Sequence, residues 1–218
     1  MARLELKNIK KMYGDKTIVD HINLEIDKGE FIVIVGPSGC GKSTLLRILA
    51  GMQNANKGTI DYNLNNTKLN PDKLFSHVSF CAPGMDIIEE MSLKEFLNFH
   101  FTFKPIIKGF TVDKIIEAMG LQKVSHKFIH DFSSGMKQRV KLAQAIFFDT
   151  PIVLLDEPCS NLDTKGIELY HSLVEEHCSN RLVVVCSNDP VEYSFCQHVI
   201  AITDHKLPLQ QSPYSNLN

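Results

Sequence analysis

The stretch Gly36-Pro37-Ser38-Gly39-Cys40-Gly41-Lys42-Ser43-Thr44 limits what this chain can fold into more than any other feature. Before it lies an apolar run, Phe-Ile-Val-Ile-Val at 31–35, which reads as a buried strand. After it comes Leu-Leu-Arg-Ile-Leu-Ala at 45–50, which reads as a helix stopped by Gly51. Strand, glycine loop and helix are the setting in which such a loop cradles phosphate. Glycine lets the main chain bend closely around an anion, and the inward N–H groups and the helix start attract negative charge. Lys42 is placed to reach the outer phosphates of a triphosphate, and the Ser43 hydroxyl to ligate Mg²⁺. A chance glycine-rich turn is the alternative, and the flanking strand and helix speak against it.

Composition narrows the setting. With 218 residues the chain can bury one substantial core, with room for a subdomain. The net charge of −2 gives no bulk attraction for a polyanion, so no nucleic-acid partner is expected. No apolar run approaches the ~20 residues that cross a bilayer, and the N-terminus has no secretory segment. A membrane role must then come through a partner. The six cysteines are scattered without a Cys-x-x-Cys pair, which favours free thiols in a reducing cytoplasm. The nine histidines show no metal spacing, and His171 and His177 read as solvent-exposed.

Along the chain, residues 3–35 read as antiparallel strands with turns at 13–15 and 27–30. A short strand or hairpin is expected at 59–69, and buried strands at 77–81, 152–155, 181–186 and 199–202. Ser92-Leu93-Lys94-Glu95 is a capping box. Helical spacing follows it, recurs at Val112, Ile115, Ile116 and Met119, and returns from Ser133 through Phe147. A helix is also expected at 166–178. The fold class is therefore α/β: a core with a mostly parallel sheet (1–83 and 147–207), an antiparallel β subdomain and an inserted helical subdomain (84–146). All belong to one domain, and the polar tail 208–218 is expected to be flexible.

Two further stretches carry chemistry. The run at 152–155 ends in Asp156-Glu157-Pro158. Beside a phosphate loop, Asp156 would hold Mg²⁺ opposite Ser43, and Glu157 would orient the attacking water. A surface turn is the alternative. Phe132-Ser133-Ser134-Gly135-Met136-Lys137-Gln138-Arg139 opens a long amphipathic helix, whose free N–H groups make either an anion site or a plain helix cap.

The phosphate loop, the Ser-Gly-x-x-Gln-Arg helix start and the Leu-Leu-Asp-Glu-Pro strand occur in this order and at these separations. Together they resemble the nucleotide-binding subunit of an ATP-binding cassette (ABC) transporter over about residues 2–205. The P-loop NTPase fold and ATP with Mg²⁺ follow from that resemblance. It also implies that Tyr13 stacks on adenine, with a plain turn aromatic as the alternative. It implies that two cassettes face head to tail, each ATP lying between Gly36–Thr44 of one and Ser133 and Gly135 of the other. Ser160-Asn161-Leu162-Asp163 would link the two sites. An integral membrane permease would dock on the cassette and hold it at the inner face of the cell membrane. A short permease helix would enter a groove formed by apolar residues of 85–91 and 99–103, Ile87 and Ile88 among them; the alternative is that these residues form the subdomain's own core. A cassette ATPase without transport and a nucleotide-binding regulator remain the other readings.

Three positions depart from the common family form. Phe132, Ser134 and Met136 replace the usual Leu, Gly and Gln of the signature, in a form similar to export-type systems. No glutamine stands near Ala82-Pro83. Asn188 stands where a histidine is usual after the fourth core strand. Its amide can donate to the γ-phosphate but carries no charge, which implies real but slow turnover, with Glu157, Lys42 and Asn188 as the catalytic set.

Overall fold

The computed structural model describes residues 2–202 and the backbone of 209–211. Alternating burial along the first two strands explains their pairing. In β1 (Ala2–Tyr13) and β2 (Lys16–Asp27), Leu4, Leu6, Ile9, Val19, Ile22, Leu24 and Ile26 turn to one side and are buried. The strands run antiparallel with Leu6 opposite Leu24. The chain continues through β3 (Phe31–Val35) and α1 (Lys42–Leu49), then β4 (Lys57–Leu64) and the two-residue β5 (Thr67–Lys68). These give an antiparallel sheet of order β2-β1-β4-β5.

Next come β6 (Val78–Cys81), the helices α2 (Leu93–His100), α3 (Val112–Ala118) and α4 (Ser134–Ile146), β7 (Ile152–Asp156), α5 (Thr164–Cys178), β8 (Leu182–Cys186), β9 (His198–Ala201) and β10 (Leu209–Gln211). The second sheet has the order β10-β9-β3-β8-β7-β6 and is parallel except for its β10 edge. Its central strands β3, β8 and β7 are apolar at every position except Asp156 at the end of β7, because both faces are covered. Phe31, Val33, Val153, Leu155, Val183 and Val185 face the cluster built with α2–α5. Ile32, Ile34, Ile152, Leu154, Leu182 and Val184 face the cluster shared with α1 and the antiparallel sheet.

The helix starts are fixed locally. The Ser92 side chain accepts the Glu95 N–H and the Glu95 carboxylate accepts the Ser92 N–H, completing the capping box of α2. Thr111, Ser133 and Asp163 cap α3, α4 and α5.

Two expectations are corrected. Leu209–Gln211 pairs antiparallel with β9, so this part of the tail extends the sheet where a frayed end was expected; residues 208 and 212–218 lie outside the described residues. His171 and His177 are half-buried, not solvent-exposed: His171 bonds the Val191 carbonyl through its ring, and His177 packs on Phe110 and Phe147.

One buried cation ties the helical insertion to the sheet. The Arg181 guanidinium donates to the carbonyls of Ile146 (2.6 Å), Phe148 (2.7 Å) and Thr150 (2.7 Å), and to the Thr150 hydroxyl (2.8 Å). Truncation leaves the buried Ile146 and Thr150 carbonyls without donors, each costing about 1–3 kcal/mol, while the Phe148 carbonyl keeps the Thr150 N–H. Arg181→Leu should therefore lose about 3–5 kcal/mol of unfolding free energy by urea titration, and Arg181→Lys should recover part of it.

Candidate functional site

The phosphate loop runs from the carboxyl end of β3 to the start of α1. Gly41 stands just before the helix at φ 108°, a left-handed conformation that disfavours a side chain. A Cβ there would also meet Ile18 Cγ2 at 2.8 Å and the Ile18 carbonyl oxygen at 2.9 Å. Unlike α2–α5, α1 receives no side-chain cap at its start. Its first N–H groups have no partner within the helix, which suits an anion. Lys42 is buried, and its ammonium donates to the Gly36 carbonyl at 2.6 Å and the Pro37 carbonyl at 3.3 Å.

A cleft of about 210 Å³ is lined by Ile18, Ser38, Gly39, Gly41, Lys42, Ser43, Thr44 and Glu157. The parallel sheet brings Glu157 there, because β7 and β3 end on the same side with β8 between them. Asp156, the last residue of β7, is only 4% exposed. Burial raises its pKa; a hydrogen bond from the Ser43 hydroxyl and the nearby Arg47 and Lys42 charges oppose that rise, while Glu157 adds to it. Its Oδ1 is buried without a hydrogen-bond partner. An orphaned carboxylate oxygen beside a serine hydroxyl is a hard-oxygen donor pair that fits Mg²⁺. Among the described residues no trio of His, Cys, Asp or Glu forms a metal cage, and Mg²⁺ bound with phosphate needs none.

Asn188 also reaches the loop: its Oδ1 accepts the Gly36 N–H at 3.0 Å, which leaves its amide N–H groups as the donors. Neither Ala82 nor Pro83 has a side chain that can ligate a metal, and the Pro83 carbonyl accepts the Lys141 ammonium.

Other expected site residues stand apart from this cleft within one chain. Ser133 and Gly135 line a separate cleft of about 430 Å³ with Asn161, Leu162 and Asp163. Ser133 Oγ accepts the Met136 N–H at 3.2 Å. Gly135 permits close packing, since a Cβ there would meet the Asn161 carbonyl oxygen at 2.8 Å. The Tyr13 ring is 52% exposed at the end of β1, its hydroxyl bonded to the Gln53 amide and Lys11 Nζ 5.3 Å from the ring centroid.

A third cavity, about 420 Å³, was only partly legible in the sequence. Ala50, Gly51, Met52, Leu74, Phe75, Phe80, Met85, His100, Lys104 and Phe148 are among its lining residues. From the segments expected to form a groove, Met85 and His100 contribute. Ile87 packs instead against the helical core. Burial drives the pKa of His100 down to about 4, helped by the Lys104 charge, and that of Lys104 down to about 8. Phe75, outside those segments, is 65% exposed and was not singled out, because the adjacent pair Leu74-Phe75 on a short 3₁₀ turn gives no periodic signal.

The ABC transporter profile matches residues 19–160. The chain belongs to the ABC transporter family. It is 33% identical over 214 residues to the spermidine/putrescine import ATP-binding protein of Chromobacterium violaceum, covering 94% of this chain and 58% of that one. It is 32% identical to the Fe(3+) ions import ATP-binding protein of Fusobacterium nucleatum, covering 75% of this chain and 45% of that one. The chain thus spans about half the length of the curated relatives it matches. Both relatives are named as importers, whereas the sequence reading of Met136 leans towards an export-type system. Among solved structures, a dimeric ATP-binding cassette in a post-hydrolysis state, bound to ADP and Pi, superposes with a TM-score of 0.81 at 26% identity, covering 95% of this chain and 98% of that one. Among the described residues no helix is long and apolar enough to cross a membrane.

Asp156 gives a pH test of the site. Because burial raises its pKa, the native state keeps this proton over a pH range where the unfolded chain has lost it. The associated stability is full below the unfolded value, about pH 4, and is lost as pH rises through the native value. Asp156→Asn removes that loss. Without nucleotide or Mg²⁺, the variant should melt at a higher temperature than the parent at pH 7.5, and the difference should close towards pH 4 in a calorimetric series.

Proposed function

We propose that this chain is the ATP-binding and ATP-hydrolysing subunit of an ABC transporter, and that it drives substrate translocation through a partner permease. The observation that carries the reading is the buried, unpartnered Asp156 Oδ1 beside Ser43, at the foot of a phosphate loop whose helix start has no side-chain cap.

In this reading the N–H groups of Gly39–Thr44 cradle the phosphates, and Lys42 exchanges its carbonyl partners for phosphate oxygens. Ser43 and Asp156 would hold Mg²⁺, which would supply positive charge to the phosphates. Glu157, on the rim of the same cleft, orients and polarises the attacking water. Asn188 donates an uncharged hydrogen bond to the γ-phosphate from the loop after β8. The adenine stacks on the exposed Tyr13 ring.

Ser133 and Gly135 act in a second cassette's site. Their separation from the phosphate cleft within one chain supports this, as does the dimeric state named for the matched cassette structure. The cavity beside Phe75 takes a short helix of the membrane permease, its apolar wall suited to an amphipathic segment. Docked there, the cassette sits at the inner face of the membrane.

A phosphate-release assay on the purified chain tests the hydrolysis. Glu157→Gln should lower kcat about 10²- to 10³-fold while Mg·ATP binding persists. Asn188→His, which restores a cationic donor, should raise kcat severalfold. A rate untouched by Glu157→Gln sinks the reading. The docking is tested separately: Phe75→Glu should keep hydrolysis by the isolated subunit but abolish its co-purification with the membrane component.

A further inference from the structure

We infer that Gln138 and Glu192 clamp the Pro158–Cys159 peptide from its two ends, and that this clamp positions Glu157 for hydrolysis. The inference rests on the role given above to Glu157. The Gln138 side-chain amide donates to the Pro158 carbonyl at 2.7 Å. Glu192 Oε1 accepts the Cys159 N–H at 2.8 Å. Carbonyl and N–H belong to one trans peptide unit and point in opposite directions, so the unit is held from both sides. The holders lie 20 and 33 residues away in sequence, on α4 and on the 3₁₀ turn after β8. Both are buried, Gln138 at 2% exposure and Glu192 at 6%.

The clamped unit lies one peptide beyond Glu157, separated from it by Pro158 alone. Glu157 has a φ of 42°, a backbone conformation that residues other than glycine hold only when their surroundings impose it. Its own N–H donates to the Cys186 carbonyl at 2.9 Å, and its carbonyl accepts the Ser160 N–H at 3.1 Å. With the clamp, four hydrogen bonds fix the backbone around this one residue. Releasing the Pro158–Cys159 unit lets Glu157 relax to negative φ, which swings its carboxylate off the rim of the phosphate cleft.

Glu192 is an expensive choice for a merely structural brace. Burial raises its carboxyl pKa, and the Asp189 and Glu157 charges add to the rise. Only the Ser187 hydroxyl and the Cys159 N–H counter it, and Oε2 has no partner. What the residue gains is a connection. Its N–H bonds the Asp189 carbonyl at 2.9 Å and its carbonyl accepts the Tyr170 hydroxyl at 3.0 Å. Glu192 therefore ties the loop of Asn188 to the loop of Glu157. Gln138 ties the latter to α4, whose start carries Ser133 and Gly135, so a shift of α4 reaches Glu157 through a single side chain.

Three variants separate positioning from support: Glu192→Ala, Glu192→Gln and Gln138→Leu. Glu192→Ala and Gln138→Leu should each lower kcat at least tenfold, with Mg·ATP affinity by equilibrium titration within twofold of the parent. Glu192→Gln keeps an oxygen acceptor for Cys159 and should hold kcat within threefold. The Gln138→Leu/Glu192→Ala pair should cost little more than either change alone, as expected of two parts of one device. The clamp is overturned if kcat is unchanged, if affinity falls in step with kcat, or if Glu192→Gln fails to rescue. Hydrogen exchange at the Cys159 amide reads the clamp without hydrolysis: slow in the parent and in Glu192→Gln, fast in Glu192→Ala. Fast exchange in the parent overturns the clamp. An inactive parent that still shows this exchange pattern overturns the ATPase reading and, with it, the catalytic purpose of the clamp.

Discussion

The chemistry-bearing loops emerge from the carboxyl ends of three adjacent parallel strands, β3, β8 and β7, which are sealed on both faces. Burial on both sides fixes their register, because a slip of one residue would exchange the two apolar faces. It also fixes where they end. Gly36 follows β3, Asp156 closes β7 and Ser187 follows β8. A loop rich in main-chain N–H groups, two carboxylates and a side-chain amide are thereby gathered without any contact between them having to be strong. Ligands lie at the carboxyl ends of such strands because that is where neighbouring loops converge.

That gathering puts acids in a place that disfavours them. Asp156 and Glu192 are both buried, both have raised pKa values, and each keeps one oxygen without a partner. The two orphans differ in outlook. Asp156 sits beside Ser43, where the two side-chain oxygens would suit a hard cation. Glu192 lies behind the active loop and braces a peptide. Strain in the Glu157 backbone belongs to the same pattern of local cost at a site whose surroundings over-determine it.

Local signals in the chain were legible where the physics is local. The glycine loop, the Ser92–Glu95 box and the apolar runs of the central strands each depend on residues within a few positions of one another, and all stand in the structure as read. Long-range roles were not legible. Arg181 read as the start of a strand, yet it is a buried donor hub for carbonyls 31 to 35 residues away. Gln138 read as part of a helix-start motif, while its partner, the Pro158 carbonyl, is a main-chain group that no composition signal marks. The antiparallel β10 edge escaped because three polar-rich residues at a tail carry no periodicity. Only Met85 and His100 of the Phe75 cavity were anticipated, because most of the rest of its wall comes from the end of α1, the turn before β6, β6 itself and α4.

The placement of α1 has a mechanical corollary. Its first turn belongs to the phosphate loop, and Ala50, Gly51 and Met52 just past its last turn line the Phe75 cavity. Eight helical residues span about 12 Å. Leu45, Leu46, Ile48 and Leu49 lock this short rod into the core, so it cannot bend along its length. One packed rod thus sets the distance between the phosphate loop and the Phe75 cavity.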